Sequence, residues 1–314
     1  MIETIVSVGL PISEKFEIKK QRLVPVGGLK GGEKRICIVT GTHGDELEGQ
    51  YVAYEISRRI RENPERLKGI VDIYPALNPL GVDSITRGIP GFDLDMNRIF
   101  PGNEEGSMAE YAAGKIVRDL SGADLCVDIH ASNIYLKEMV QVRISEQTAE
   151  KLVPLAKQLN VDFIWVHGAA TVLQSTLAHS MNERGVPTLV VEMGVGMRLT
   201  LSYGNQLVDG LLHIMAQLGI WEGETIRPRE PIISSDPAEV EFLNAPLSGI
   251  FIPRVEHGAW VTEGTLIGEI VNPLSGSSEP IPSPCDGLVF TIREYPVVED
   301  GSLLARILRR NMHD

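Results

Sequence analysis

Short apolar runs alternate with stretches of helical period from Arg35 to about Met215, and this alternation constrains the fold more than any other feature of the chain. The runs are ICIVT (36–40), IVDIYPAL (70–77), LCVDIH (125–130), QVRI (141–144), DFIWV (162–166) and TLVVEMG (188–194). Several carry apolar side chains at consecutive positions, so neither face of such a strand can be left to water. Helices must cover the sheet on both sides, and 49–61, 109–120, 149–159 and 175–183 have the period to do so. The expected architecture is α/β, a mainly parallel mixed sheet flanked by helices. Ligand sites in such sheets form beyond the carboxyl ends of strands, where His43, His130 and Glu192 fall.

The pattern changes after Trp221. Prolines recur at Pro228, Pro231 and Pro237, and the remainder reads as short strands and turns. This predicts an α/β domain over 1–226 and a β domain over 227–314. The tail repeats itself: SGIFIPRVEHGAWVTEGTLIGEI from Ser248 is echoed by DGLVFTIREYPVVEDGSLLARI from Asp286. Two such units, each with a half-buried face, would pack as a small sandwich or barrel. The repeat resembles the barrel-sandwich hybrid of biotinyl and lipoyl carriers, which present a lysine on a central hairpin. No lysine follows Lys157, so a swinging-arm carrier is excluded and an accessory role is expected.

The chain has 314 residues, enough for a sizeable core, and a net charge of -13. That charge argues against nucleic-acid and anionic-membrane partners, because phosphate contacts rest on clustered Lys and Arg. Lys19-Lys20 and Arg309-Arg310 are too short to serve as such a patch. The cysteines, Cys37, Cys126 and Cys285, are too widely spaced for a metal clip or a disulfide framework, and the first two lie in apolar strand runs. The N-terminal stretch has acids where a signal peptide needs a basic start, and no run approaches the roughly 20 apolar residues of a membrane span. A cytoplasmic location is expected.

The stretch THGDELEGQ, 42–50, sets His43 and Glu46 three apart where a strand gives way to a helix. It reads as a pair of metal ligands or as a solvated helix start that happens to contain a histidine, and the two are compatible; Asp45, between His43 and Glu46, is expected to cap the helix rather than serve as a third ligand. Catalytic zinc takes three protein ligands and leaves a position open. His130, ending an apolar strand, is the candidate third, with Asp128 as an outer acceptor. Glu192 is an acid in a strand too apolar to hold one casually, so it is a candidate proton carrier. The loop 78–103, rich in Gly, Pro, Asn and Asp, adds Arg87, Asn97 and Arg98, and guanidinium forks bind carboxylates and polarise carbonyls. His167 could line the same rim and His257 could reach it from the tail. His179 and His213 fit packing or surface positions, and His313 is given no role.

The pieces THGDE, NPLG, TRG, DLDMNRIFPG, DIHAS and VEMG occur in an order that resembles the succinylglutamate desuccinylase and aspartoacylase family of the zinc carboxypeptidase superfamily. The resemblance implies a zinc carboxypeptidase-like fold with one zinc ion per chain, held by His43, Glu46 and His130. It implies that Glu192 is general base and later acid, that Arg87 polarises the scissile carbonyl, and that Asn97 and Arg98 grip the substrate carboxylate. A zinc-bound water would attack the amide of a small N-acyl amino acid or related amine. Aspartoacylases carry an arginine shortly before the base. Here that region, LAHSMNERG, offers only Arg184, so an aspartate side chain is not supported as substrate. The alternatives are a zinc carboxypeptidase acting on short peptides and a non-catalytic, metal-dependent binding protein. A homo-oligomer is left open, with the β tail as a possible contact.

Overall fold

The computed structural model describes residues 1–92, 94–168, 174–234 and 236–310; Asp93, within DLDMNRIFPG, and His313 lie outside them. Among the described residues, 13 strands form one mixed sheet. Its centre is parallel: Arg35–Val39 lies between Ile70–Tyr74 and Leu125–Ala131, and Thr188–Gly194 pairs with the latter. Leu136–Ser145 then runs antiparallel to Thr188–Gly194 and parallel to Phe163–His167. On the opposite flank an N-terminal hairpin, Ile2–Gly9 and Lys15–Leu23, extends the sheet antiparallel to Ile70–Tyr74. Nothing in the apolar alternation marked this hairpin, because its exposed face is charged.

The strand Arg35–Val39 shows why both faces need helices. Ile36 and Ile38 pack on one side against Val52, Ile56 and Ile60 of the helix Glu48–Glu62 and against Leu207, Leu211 and Met215 of Leu201–Gln217. Cys37 and Val39 pack on the other against Ala112, Ile116 and Leu120 of Met108–Leu120 and Met181 of Leu177–Glu183. The helix Glu48–Glu62 begins without a side-chain cap, its N-cap being Leu47. A missing cap costs about 1 kcal/mol, whereas full burial of one Val or Ile gains roughly 1.5–3 kcal/mol. Burial of its apolar stripe therefore decides this helix. Asp45 is not the cap expected from the sequence: its Oδ1 is buried without a hydrogen-bond partner among the described residues, and the helix starts beyond it.

The C-terminal strands do not stand apart from the sheet. Gly287–Arg293 pairs with Leu136–Ser145, Leu303–Arg309 follows it, and Val240–Asn244 lies beyond. A second, antiparallel sheet contains Ser277–Pro282, Leu266–Asn272, Gly249–Pro253 and Val297–Val298. The two sequence repeats exchange their short middle strands: Trp260–Val261 pairs with Gly287–Arg293, and Val297–Val298 pairs with Gly249–Pro253. Phe251, Ile267 and Ile270 from one repeat share a core with Val289, Leu304 and Ile307 from the other. Among the described residues no helix is long and apolar enough to cross a membrane.

Candidate active site and metal centre

His43 and Glu46 sit in the turn that joins Arg35–Val39 to the helix Glu48–Glu62. Gly44 lies so close to a second segment that a Cβ there would fall 1.9 Å from the Gly81 carbonyl carbon and 2.4 Å from Val82 N. Glycine is required by that approach. The Gly44 N–H donates to the carbonyls of Thr86 (3.0 Å) and Arg87 (3.4 Å), tying the ligand turn to the loop that carries Arg87. That loop is less irregular than its composition suggests: Pro79–Ser84 is a short helix, capped by the Asn78 side chain, which accepts from Gly81 N at 2.9 Å. The motifs HG and NPLG are thus two halves of one contact.

His43, Glu46 and His130 each present a ligand atom, all within 4.8 Å of one another, and all three residues are buried. His43 Nδ1 lies 2.7 Å from Glu46 Oε1, and His130 Nδ1 lies 2.9 Å from Glu46 Oε2. The far nitrogen of each ring faces an acid: His43 Nε2 is 3.0 Å from Asp95 Oδ1, and His130 Nε2 is 3.2 Å from Asp128 Oδ2. The second contact is a charge pairing without hydrogen-bond alignment, and both atoms are otherwise unpartnered among the described residues.

This cluster is electrostatically prepared for a cation. Burial would push the Glu46 carboxyl up, but His130 and His43 hold it well below the usual carboxylate range. Burial likewise opposes charge on Asp95, and His43 and Arg87 overcome it. Both imidazoles are raised in turn: burial works against their charged forms, and Asp95 and Glu46 at His43, Asp128 and Glu46 at His130, more than offset it. Two imidazoles and a carboxylate, each imidazole backed by an acid, form a donor set suited to a divalent ion with a position left for water. The residues fit a metal.

Glu192 and Arg98 line the same cavity of about 650 Å³, as do Arg87 and Asn97. Glu192 arrives on the strand next to that of His130, and the two are paired in register. Burial pushes its carboxyl up to about 7, with Arg143 and His130 pulling down and Glu138 and Glu46 adding to the rise. Arg87 donates to Glu46 Oε1 at 3.1 Å and to Asp95 Oδ2 at 3.2 and 3.3 Å. Asn97 is fixed by accepting at Oδ1 from Leu177 N, 2.9 Å, while Arg98 Nη1 donates to the Asn97 carbonyl at 2.8 Å. The expected site residues therefore meet in one place.

Other expectations fall differently. His167 lines the cavity, and so does His179, for which the helical pattern predicts a packing or surface position. His257 does not reach the cavity: Tyr203 OH, 3.0 Å, and the Phe290 carbonyl, 3.1 Å, engage its two ring nitrogens. Arg184 donates to the Ser180 carbonyl at 3.0 Å, closing its own helix, and does not line the cavity. Sequence reasoning missed Asp95. Its signal was local: the carboxylate accepts from Asn97 N at 2.8 Å, the Asx-turn habit of an acid two residues before a bend. Asp95→Asn is expected to weaken divalent-metal affinity by roughly 10- to 100-fold, as loss of outer partners does. Competition with a chromogenic chelator measures this, and unchanged affinity would remove Asp95 from the metal's support.

Residues 33–218 match the succinylglutamate desuccinylase/aspartoacylase catalytic domain. Over 307 residues the chain is 26% identical to the N-alpha-acetyl-L-2,4-diaminobutyric acid deacetylase of Halomonas elongata, covering 95% of this chain and 84% of that protein. Its fold is similar to that of a succinylglutamate desuccinylase/aspartoacylase from Rhodobacter sphaeroides (22% identity, TM-score 0.81, 99% of this chain and 96% of that one). It is also similar to the product-bound ectoine utilization protein EutE from Ruegeria pomeroyi (21% identity, TM-score 0.79, 97% and 93%). With the family model spanning His43, Glu46, His130 and Glu192, the chain belongs to the succinylglutamate desuccinylase/aspartoacylase family.

Proposed function

We propose that this protein is a zinc-dependent deacylase that hydrolyses the amide bond of a small N-acyl amino acid or related N-acyl amine. The observation that carries the reading is the convergence of His43, Glu46 and His130 in one cavity with the high-pKa carboxyl of Glu192. His43, Glu46 and His130 would hold the ion, which when bound lowers the pKa of water and polarises a carbonyl. Glu192 accepts the proton of the attacking water and returns it to the departing amine, so a C–O bond forms as the C–N bond breaks. Arg87 polarises the acyl oxygen and balances the charge that develops there. Asn97 and Arg98 hold the substrate carboxylate and fix the amide in place.

A cavity of about 650 Å³ suits a small molecule, and the Halomonas relative is a deacetylase of an N-acetylated amino acid. We take residues 1–226 as the hydrolase domain, with a zinc carboxypeptidase-like fold, and 227–314 as its β partner. The test is a screen of the zinc-restored protein against N-acetyl and N-succinyl amino acids, including Nα-acetyl-2,4-diaminobutyrate, with free amine as readout. At least one compound is expected to turn over. Cleavage of free-acid peptides alone would convert the reading to a carboxypeptidase, and no turnover of either class would reject catalysis.

A further inference from the structure

The C-terminal β segment enters the cavity through Arg306, on the strand Leu303–Arg309. Its Nη1 is ion-paired with Glu138, whose side chain is only 1% exposed. Arg143 grips the same carboxylate, with Nη2 donating to both oxygens at 2.8 and 2.7 Å. Its Nη1 lies 3.4 Å from Glu192 Oε1, an ion pair without hydrogen-bond alignment. The Trp165 ring backs both guanidiniums, each carbon 5.5 Å from its centroid. The groups form a chain: Arg306, Glu138, Arg143, Glu192.

The fold builds this chain by register. Glu138 pairs with Thr291, and Thr291 pairs with Arg306, so the three stand abreast on adjacent strands. Glu138 and Arg143, five apart, would face opposite sides of a straight strand. The register shifts between Glu138 and Gln141 against Thr188–Gly194, and that irregularity lets both reach one cavity. A carboxylate buried this deeply needs compensating charge, and Glu138 receives it from two arginines. Arg143 is consequently divided, tight on Glu138 and loose on Glu192. A single ion pair of this kind can hold a carboxylate in place without occupying both its oxygens, as a bidentate fork would.

We infer that Arg306, acting through Glu138 and Arg143, is a positioning residue for Glu192, so that the C-terminal β segment completes the catalytic wall. This rests on the proposed role of Glu192 as proton carrier. Without Arg306, Glu138 keeps one cationic partner, draws Arg143 to itself, and Glu192 loses its orienting contact.

The test uses the full zinc-restored chain and an N-acyl amino acid that the unaltered chain hydrolyses. R306M is expected to lower kcat about tenfold with KM changed less than about twofold and with metal content retained, rates being read below the variant's melting temperature, which should fall because the buried Glu138 loses one of its two cationic partners. R306K is expected to recover most of the loss, because Arg306 gives Glu138 a single N–H contact that an ammonium can replace. In an E138Q background, R306M should cause no further fall, since a residue acting through Glu138 has nothing left to act through. Full kcat in R306M, a rise confined to KM, or an equal fall in both backgrounds would each overturn the inference. A crystal structure of R306M reads the same relay without turnover. The Arg143–Glu192 contact is expected to lengthen or break, and an unmoved pair sinks the inference even if the unaltered chain hydrolyses nothing, an outcome that separately sinks the functional reading.

Discussion

Glu192→Gln is expected to lower kcat by roughly 10²- to 10⁴-fold, the range that general acid–base groups contribute, while leaving bound zinc unchanged. The amide side chain matches the carboxylate in shape but cannot carry the proton from water to amine. Because burial raises the Glu192 carboxyl to about 7, the ionised form needed to accept that proton is lost as pH falls through neutrality. The acid limb of the unaltered protein's pH profile should therefore lie above that of an ordinary glutamate. Steady-state rates from pH 5 to 9 with metal analysis of each preparation check both points. Near-full activity in E192Q would remove this residue from the chemistry.

Removal of a proposed metal ligand is expected to have the second large effect. In Glu46→Gln the carboxylate that both imidazoles face at 2.7 and 2.9 Å becomes a neutral amide. Metal affinity should fall by more than the roughly 10- to 100-fold that loss of an outer partner brings, and activity with it. His130→Ala should behave in the same way. Asp45→Asn is the internal comparison. Asp45 lies between the proposed ligands in sequence, yet burial and the Glu46 charge push its carboxyl up, and its buried Oδ1 has no partner among the described residues. An uncharged isostere there should leave metal content and rate within a few-fold of the unaltered protein. Equal loss of metal in D45N and E46Q would mean that Asp45 shares the ion.

Much of the fold was legible because burial writes itself into sequence. Strands covered on both faces must be apolar throughout, so Leu125–Ala131 and Thr188–Gly194 stood out, as did the helices Met108–Leu120 and Glu48–Glu62. The N-terminal hairpin did not, since a flank strand with one charged face lacks that signal. The C-terminal repeat was visible as two units, but their exchange of middle strands was not, because pairing partners distant in sequence leave no periodicity. For the same reason the sequence does not show that Tyr203 and Phe290 hold His257 away from the site.

The sequence by itself determined an α/β chain with imidazoles and acids at strand ends, and its short motifs named the candidate ligands. Such residues are chemically conspicuous: a histidine at the end of a buried strand, or an acid inside one, needs a reason to be there. Tertiary structure alone decided the second tier of the site. Asp95 reaches His43 across 52 residues, and Arg306 reaches Glu138 across 168. The second contact depends on strand order, and the register shift after Glu138 turns Glu138 and Arg143, residues of opposite parity, toward one cavity. Local periodicity reports which residues are buried, but which distant charges neutralise one another is settled only when the sheet is assembled.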